Sequence, residues 1–203
     1  MKSIFTILIL FTSFNIQAHE FYTAKVLLAN GTVIDCKATL PENELGETSI
    51  KIKENENKPA TLIMSDDIYQ ILYVINNNNY IFERHNMGLI KEAYQKHRTN
   101  NSSGKEWYLI ISSDNFIKVY ISAQNYYLDK GKGVISTYSF EGRNINFGTS
   151  YLLKRKNENA PTVISMSNIS YSQFRNWASE YFKEIPELVE RINNKEFKKS
   201  EVG

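Results

Sequence analysis

Apolar and polar residues alternate at period two over much of the chain beyond residue 20, in short runs separated by turn chemistry. The cleanest run, Ser49-Ile50-Lys51-Ile52-Lys53, reads as a half-buried strand. Ahead of it, Phe21 to Ala29 is rich in β-formers and Thr32 to Leu40 returns. Asn30-Gly31 between them is the signal of a two-residue type I′ turn, which would set Leu27 against Ile34 and Leu28 against Val33. In the returning strand Ile34, Cys36, Ala38 and Leu40 share one face. Pro41 to Gly46 is a polar loop, Glu54 to Pro59 a charged turn, and Ala60 to Met64 a further strand. Ser65-Asp66-Asp67 reads as a turn into a strand over Ile68 to Ile75. The four asparagines 76–79 then form a loop, and Tyr80 to Arg84 returns.

Leu89 to His97 is compatible with a short helix, and Asn100-Asn101-Ser102-Ser103-Gly104 is a loop that divides the chain. A second set of strands follows: Trp107 to Ser112, Phe116 to Ala123, Tyr126 to Leu128, Val134 to Phe140 and Ser150 to Arg155, with turns at Ser113-Asp114-Asn115, Gly131–Gly133 and Gly142–Gly148. The period then changes. Ser170 with Gln173 three residues on matches a capping box, and Phe174, Trp177, Ala178, Tyr181 and Phe182 recur at helical spacing as one buried stripe. Pro186 suits the first turn of a second helix, which presents Leu188, Val189 and Ile192. Lys195 to Gly203 is a charged tail.

These patterns predict an α+β fold that is mainly β: antiparallel sheets, half-barrel or sandwich-like, with a C-terminal helical pair. The expected layout is a signal peptide over 1–18, an N-terminal β unit over 19–95, a second β unit over 106–157 and the helical pair over 168–198. Each β unit alone would be small and marginal, so 19–198 is expected to share one core. Strands do not alternate with long helices, which argues against a parallel α/β sheet.

The N-terminus reads as an address. Lys2 precedes an apolar run from Ile4 to Phe14, and Ile16-Gln17-Ala18 supplies a cleavage site, so the mature chain would begin at His19. The run is too short to span a bilayer, and no later segment is long and apolar enough to do so. The only Cys is Cys36, away from the cleavage site, so the product is expected to be exported and soluble, in the periplasm or outside the cell, rather than a lipoprotein. A single Cys also excludes an internal disulfide framework. With 24 Lys+Arg against 22 Asp+Glu the net charge is +2, and losing Lys2 lowers it further, which argues against a nucleic-acid partner.

Thr61-Leu62-Ile63-Met64-Ser65-Asp66-Asp67-Ile68, Ile117-Lys118-Val119-Tyr120-Ile121 leading to Tyr126-Tyr127-Leu128, and Tyr181-Phe182-Lys183-Glu184-Ile185-Pro186-Glu187-Leu188-Val189 with Ile192 to Phe197 together resemble small exported proteins of Bacteroidetes-type bacteria that carry no assigned function. The resemblance extends over most of 22–197. It implies export and an α+β fold and no active-site residue. It also implies a Cys just before the Pro of the C-terminal segment, where Ile185 stands here, leaving Cys36 without that partner.

Candidate chemistry is sparse. His19, once N-terminal, would offer an α-amino group and an imidazole to one metal in the manner of a copper brace, with His85 or His97 as the second imidazole. No G-x-S-x-G or phosphate-loop motif occurs. Asp66-Asp67 suits turn chemistry better than an acid/base couple. Lys154-Arg155-Lys156 and Lys195 to Lys199 are basic runs that read most simply as solvated faces; with Tyr126, Tyr127 and Tyr138 they would also suit nucleic-acid or polysaccharide contact, of which near-neutral charge and export disfavour nucleic acid. Cys36 is expected to be a buried strand residue. The expectation is therefore a non-catalytic envelope or periplasmic module, without cofactor, that binds a partner protein or a glycan. The alternatives are a secreted enzyme (a copper-brace oxidase using His19, or a carboxylate hydrolase) and an exported inhibitor or immunity-like protein, which an exposed apolar patch would favour.

Overall fold

The computed structural model describes residues 20–43, 49–86, 104–129, 133–138, 149–167 and 169–197. These residues form twelve strands: β1 (Tyr22–Leu28), β2 (Val33–Ala38), β3 (Ser49–Lys53), β4 (Thr61–Met64), β5 (Ile68–Ile75), β6 (Asn78–His85), β7 (Glu106–Ser113), β8 (Ile117–Ser122), β9 (Asn125–Asp129), β10 (Val134–Tyr138), β11 (Ser150–Arg155) and β12 (Thr162–Met166). Ten of them form one antiparallel sheet in the order β12-β11-β8-β7-β6-β5-β1-β2-β3-β4, and β9 with β10 makes a separate hairpin. The fold is α+β and mainly antiparallel, as the patterning predicts. The large sheet is open rather than a closed barrel.

The helical pair is α1 (Tyr171–Tyr181) and α2 (Pro186–Asn193). The capping box is in place: the Ser170 hydroxyl accepts from the Gln173 backbone N–H, and the Ser170 N–H donates to the Gln173 side chain. No helix of the described residues is long and apolar enough to cross a membrane.

Two details of the first β unit differ from expectation. The β1–β2 connection is a three-residue loop with Gly31 in the left-handed region at φ 87°, closed by Gly31 N–H to Leu28 O, not a two-residue type I′ turn. The register therefore moves by one residue, so Val26 rather than Leu27 opposes Ile34, and Leu27 opposes Val33. The type I′ geometry occurs instead between β5 and β6, where Asn76 and Asn77 have φ of 51° and 62°. Asn78 and Asn79 are strand residues opposite Ile75 and Val74, not loop. The sheet also contains β12, absent from the patterning because Val163, Ile164 and Ser165 are all buried in succession and leave no alternation to read.

β4 and β5 form one continuous run, bent at a 3₁₀ turn over Ser65–Asp67, so that β4 pairs with β3 while β5 pairs with β1. The bend curls the first five strands around a core that holds Val26, Cys36, Ala38, Ile50, Ile52, Ile71, Tyr73 and Phe82, and that extends to Trp107 and Leu109 of β7 and Tyr126 of β9. A second cluster gathers Tyr108, Tyr120, Leu152 and Val163 beneath Trp177 of α1. β7 thus buries Trp107, Tyr108 and Leu109 in succession and contributes to both clusters. The helix expected to be compatible with Leu89 to His97 lies outside the described residues, as does the Gly142–Gly148 turn.

Candidate functional site

On β6 to β8 the side chains opposite the Phe82–Trp107 core form a polar cluster that the strand order brings together. Glu83, 2 % exposed, is its centre. Its Oε1 accepts from Lys118 Nζ at 2.7 Å, and its Oε2 accepts from Tyr120 Oη at 2.8 Å and from His85 Nε2 at 2.9 Å. Burial pushes the carboxyl up, but the donors His85, Lys118 and Tyr120 outweigh it and hold the pKa at about 2. The same burial, with the Glu83 charge, raises the Tyr120 phenol well above its ordinary value. The His85 ring is stacked on Tyr108 at 6.4 Å between centroids and meets Tyr120 edge-on at 5.9 Å.

The three donors hold Glu83 as a carboxylate. A general acid at neutral pH needs a raised carboxyl pKa, and Glu83 has the reverse. His85 has the positioned carboxylate that its place in the sequence did not reveal. Among the described residues, however, no serine or cysteine hydrogen-bonds to it, so a nucleophile–base pair is not assembled there.

The neighbouring rim is open. An open cleft of about 310 Å³ lies between the β7–β8 turn and the end of β11, lined by Asp114, Asn115, Phe116, Ile117, Lys118 and Lys154 to Lys156. Phe116 is 80 % exposed, the most exposed large apolar side chain among those described. Its backbone is nonetheless fixed. Asp114 Oδ1 accepts from the N–H groups of Phe116 and Ile117 at 2.7 and 2.8 Å, which also lowers the Asp114 carboxyl, and Phe116 O accepts from Lys156 N–H at 3.1 Å. In the β8–β11 register Lys118 lies opposite Lys154 and Ile117 opposite Arg155. Strand alternation therefore puts Lys118 and Lys154 on one side, and Phe116 and Lys156, each just beyond a strand end, line the same cleft.

The four cations differ in what they already hold. Lys118 is bound to Glu83. Arg155 donates to Tyr181 O at 2.8 Å, pairs with Glu184 at 3.3 Å and lies over the Tyr181 ring. Lys154 and Lys156 have no carboxylate partner among the described residues. The arrangement suits noncovalent capture of a ligand with a stackable face and hydrogen-bond acceptors.

The other sequence candidates fall elsewhere. His19 and His97 lie outside the described residues, so the copper-brace hypothesis has no geometry here. Among the described residues no group of three or more His, Cys, Asp or Glu converges as a metal site would require. Asp66 sits in the 3₁₀ turn and pairs with Arg84 at 3.1 Å, and Arg84 in turn lies over the Trp107 ring. Cys36 is buried in the first core, and its thiol is pushed up to about 11 by burial, with Asp35 and Glu54 adding to the effect. Tyr126, proposed with the basic runs, is a core residue whose hydroxyl bonds to the backbone at Trp107, and it cannot face a ligand. Tyr127 is partly exposed on β9, and the Tyr138 side chain lies outside the described residues. The patterning places Phe116 in the strand, whereas β8 begins at Ile117; an aromatic directly after Ser113-Asp114-Asn115 is the available signal that a turn presents it to solvent.

Comparison with known proteins finds no matching family model, no significantly similar curated protein and no significantly similar solved structure.

Proposed function

We propose that this chain is an exported, non-catalytic envelope or periplasmic module that binds a glycan at the cleft between the β7–β8 turn and the end of β11. One observation carries the reading: Phe116 is exposed, its backbone is locked, and it lines an open cleft with two lysines that have no carboxylate partner among the described residues. An apolar ring costs free energy in water and gains it by covering the C–H face of a sugar, while ammonium groups bind sugar oxygens. The signal-peptide pattern of residues 1–18 and the resemblance to exported Bacteroidetes-type proteins support export. Glu83, the most deeply buried carboxylate, is committed to three donors, which favours binding over hydrolysis.

The test is titration of the purified mature chain against a panel of neutral and acidic oligosaccharides, with Phe116→Ala in parallel. Binding of at least one sugar class, weakened about tenfold or more by Phe116→Ala, supports the reading. Absence of binding to every sugar, or wild-type binding by Phe116→Ala, refutes it.

A further inference from the structure

Resting on the assignment of the cleft to a glycan, we infer that the glycan is acidic: a sugar chain whose carboxylate or phosphate groups are held by Lys154 and Lys156 while Phe116 covers an adjoining ring. Four of the eight cleft residues are cationic and one, Asp114, is acidic, with one carboxylate oxygen already accepting two backbone N–H groups. Glu83 pairs with Lys118 and Glu184 with Arg155, which leaves Lys154 and Lys156 facing a single cleft carboxylate, Asp114.

The register sharpens this. Like charges directly opposite on neighbouring strands repel, and Lys154 is directly opposite Lys118. Glu83 offsets that repulsion from the Lys118 side, whereas Lys154 makes no ion pair with a described carboxylate, Glu158 beside it being bound to Arg155 N–H and Tyr181 Oη. A ligand anion at Lys154 would complete the compensation. Lys154 lies on β11 and Lys156 in the turn just past its end, so they present two separate charges along the cleft rather than one chelating point. This spacing suits a chain with repeated acidic groups. With Phe116 lining the cleft beside them, the lysines fix the charged groups and the aromatic fixes the ring.

Nucleic acid also has charge and rings, but the chain is nearly neutral overall at +2. The cationic cleft is therefore a local feature on a balanced surface, without the extended positive field that draws in a polynucleotide.

Isothermal titration of the mature chain against four probes tests the inference: an oligogalacturonate, a phosphorylated oligomannose, a neutral maltohexaose and a single-stranded oligonucleotide. The expected result is binding of one or both acidic sugars, weakened by raising NaCl from about 50 to about 500 mM. Lys154→Gln and Lys156→Gln should each reduce it by about five- to tenfold with unchanged circular dichroism and melting temperature. The oligogalacturonate and phosphorylated arms decide between carboxylate and phosphate as the anion. Equal or tighter binding of maltohexaose, insensitive to salt and to both lysine substitutions, overturns the acidic assignment and leaves the glycan module standing. Preference for the oligonucleotide overturns it in favour of a nucleic acid. Binding of none of the sugars removes the glycan reading itself.

Discussion

Glu83 is charged and almost fully buried, a combination that is costly unless every oxygen is satisfied. Here one carboxylate oxygen takes an ammonium and the other takes a phenol and an imidazole. The carboxyl pKa is lowered from the ordinary 4.5 to about 2. A group held lower in the folded chain than in the unfolded one stabilises the fold above its unfolded pKa and ceases to do so as pH falls through its folded value. Glu83→Gln is therefore expected to cost about 1–3 kcal/mol at neutral pH. The gap to wild type should narrow between about pH 4.5 and about pH 2. Urea unfolding of both proteins across that range measures it, and a gap that did not change with pH would show that shape, not charge, is what Glu83 contributes. Cys36 is the opposite case: burial pushes its thiol up to about 11, and it packs as a small core side chain.

Between elements, Asn43 does the work of a missing strand. At Trp107 and Ala123 the β7–β8 ladder has run out, and the Asn43 side chain enters the gap. Its Nδ2 donates to Trp107 O and Ala123 O, both at 2.9 Å, and its Oδ1 accepts from Trp107 N–H at 2.7 Å. Asn43 N–H also donates to Gln124 O at 2.7 Å, which ties the segment after β2 to the β8–β9 corner. Unpaired backbone groups at a sheet interior carry the full desolvation penalty. Asn43→Ala should destabilise by about 1–3 kcal/mol. Asn43→Asp, which sets a carboxylate oxygen against the carbonyls of Trp107 and Ala123, should be no more stable than Asn43→Ala. Chemical denaturation midpoints of the three proteins settle the order, and an Asp variant as stable as wild type would contradict the assignment of the donors.

At the scale of the molecule, strands from both halves of the chain lie in one sheet, and β7 feeds the clusters on its two sides. The two tryptophans divide between them, Trp107 in the first and Trp177 in the second. A continuous hydrogen-bonded sheet couples the two, so unfolding should be one cooperative event. In Trp107→Phe the fluorescence reports the helix-covered cluster, and in Trp177→Phe it reports the curled one. Within each variant the fluorescence transition should coincide with the circular dichroism transition. Separate midpoints by the two probes would mean that the clusters unfold independently.

Much of this fold is legible in the residues. The strands from Ser49 to Lys53 and Ile68 to Ile75, the capping box at Ser170, the aromatic stripe of α1 and the burial of Cys36 are visible because each depends on neighbours a few positions away, where side-chain period and capping chemistry act. β12 escaped because burial on both sides erases the alternation. The β1–β2 register escaped because Asn30-Gly31 is compatible with more than one loop length. The position of β5 beside β1, the approach of Lys118 and Tyr120 to Glu83 from 35 and 37 residues away, and the cleft between Phe116 and Lys154 were decided by the tertiary structure alone. The reason is physical: local patterning determines which face of a strand is apolar. Strand order and register, which decide which polar faces meet, emerge only when the whole sheet competes for one set of hydrogen bonds.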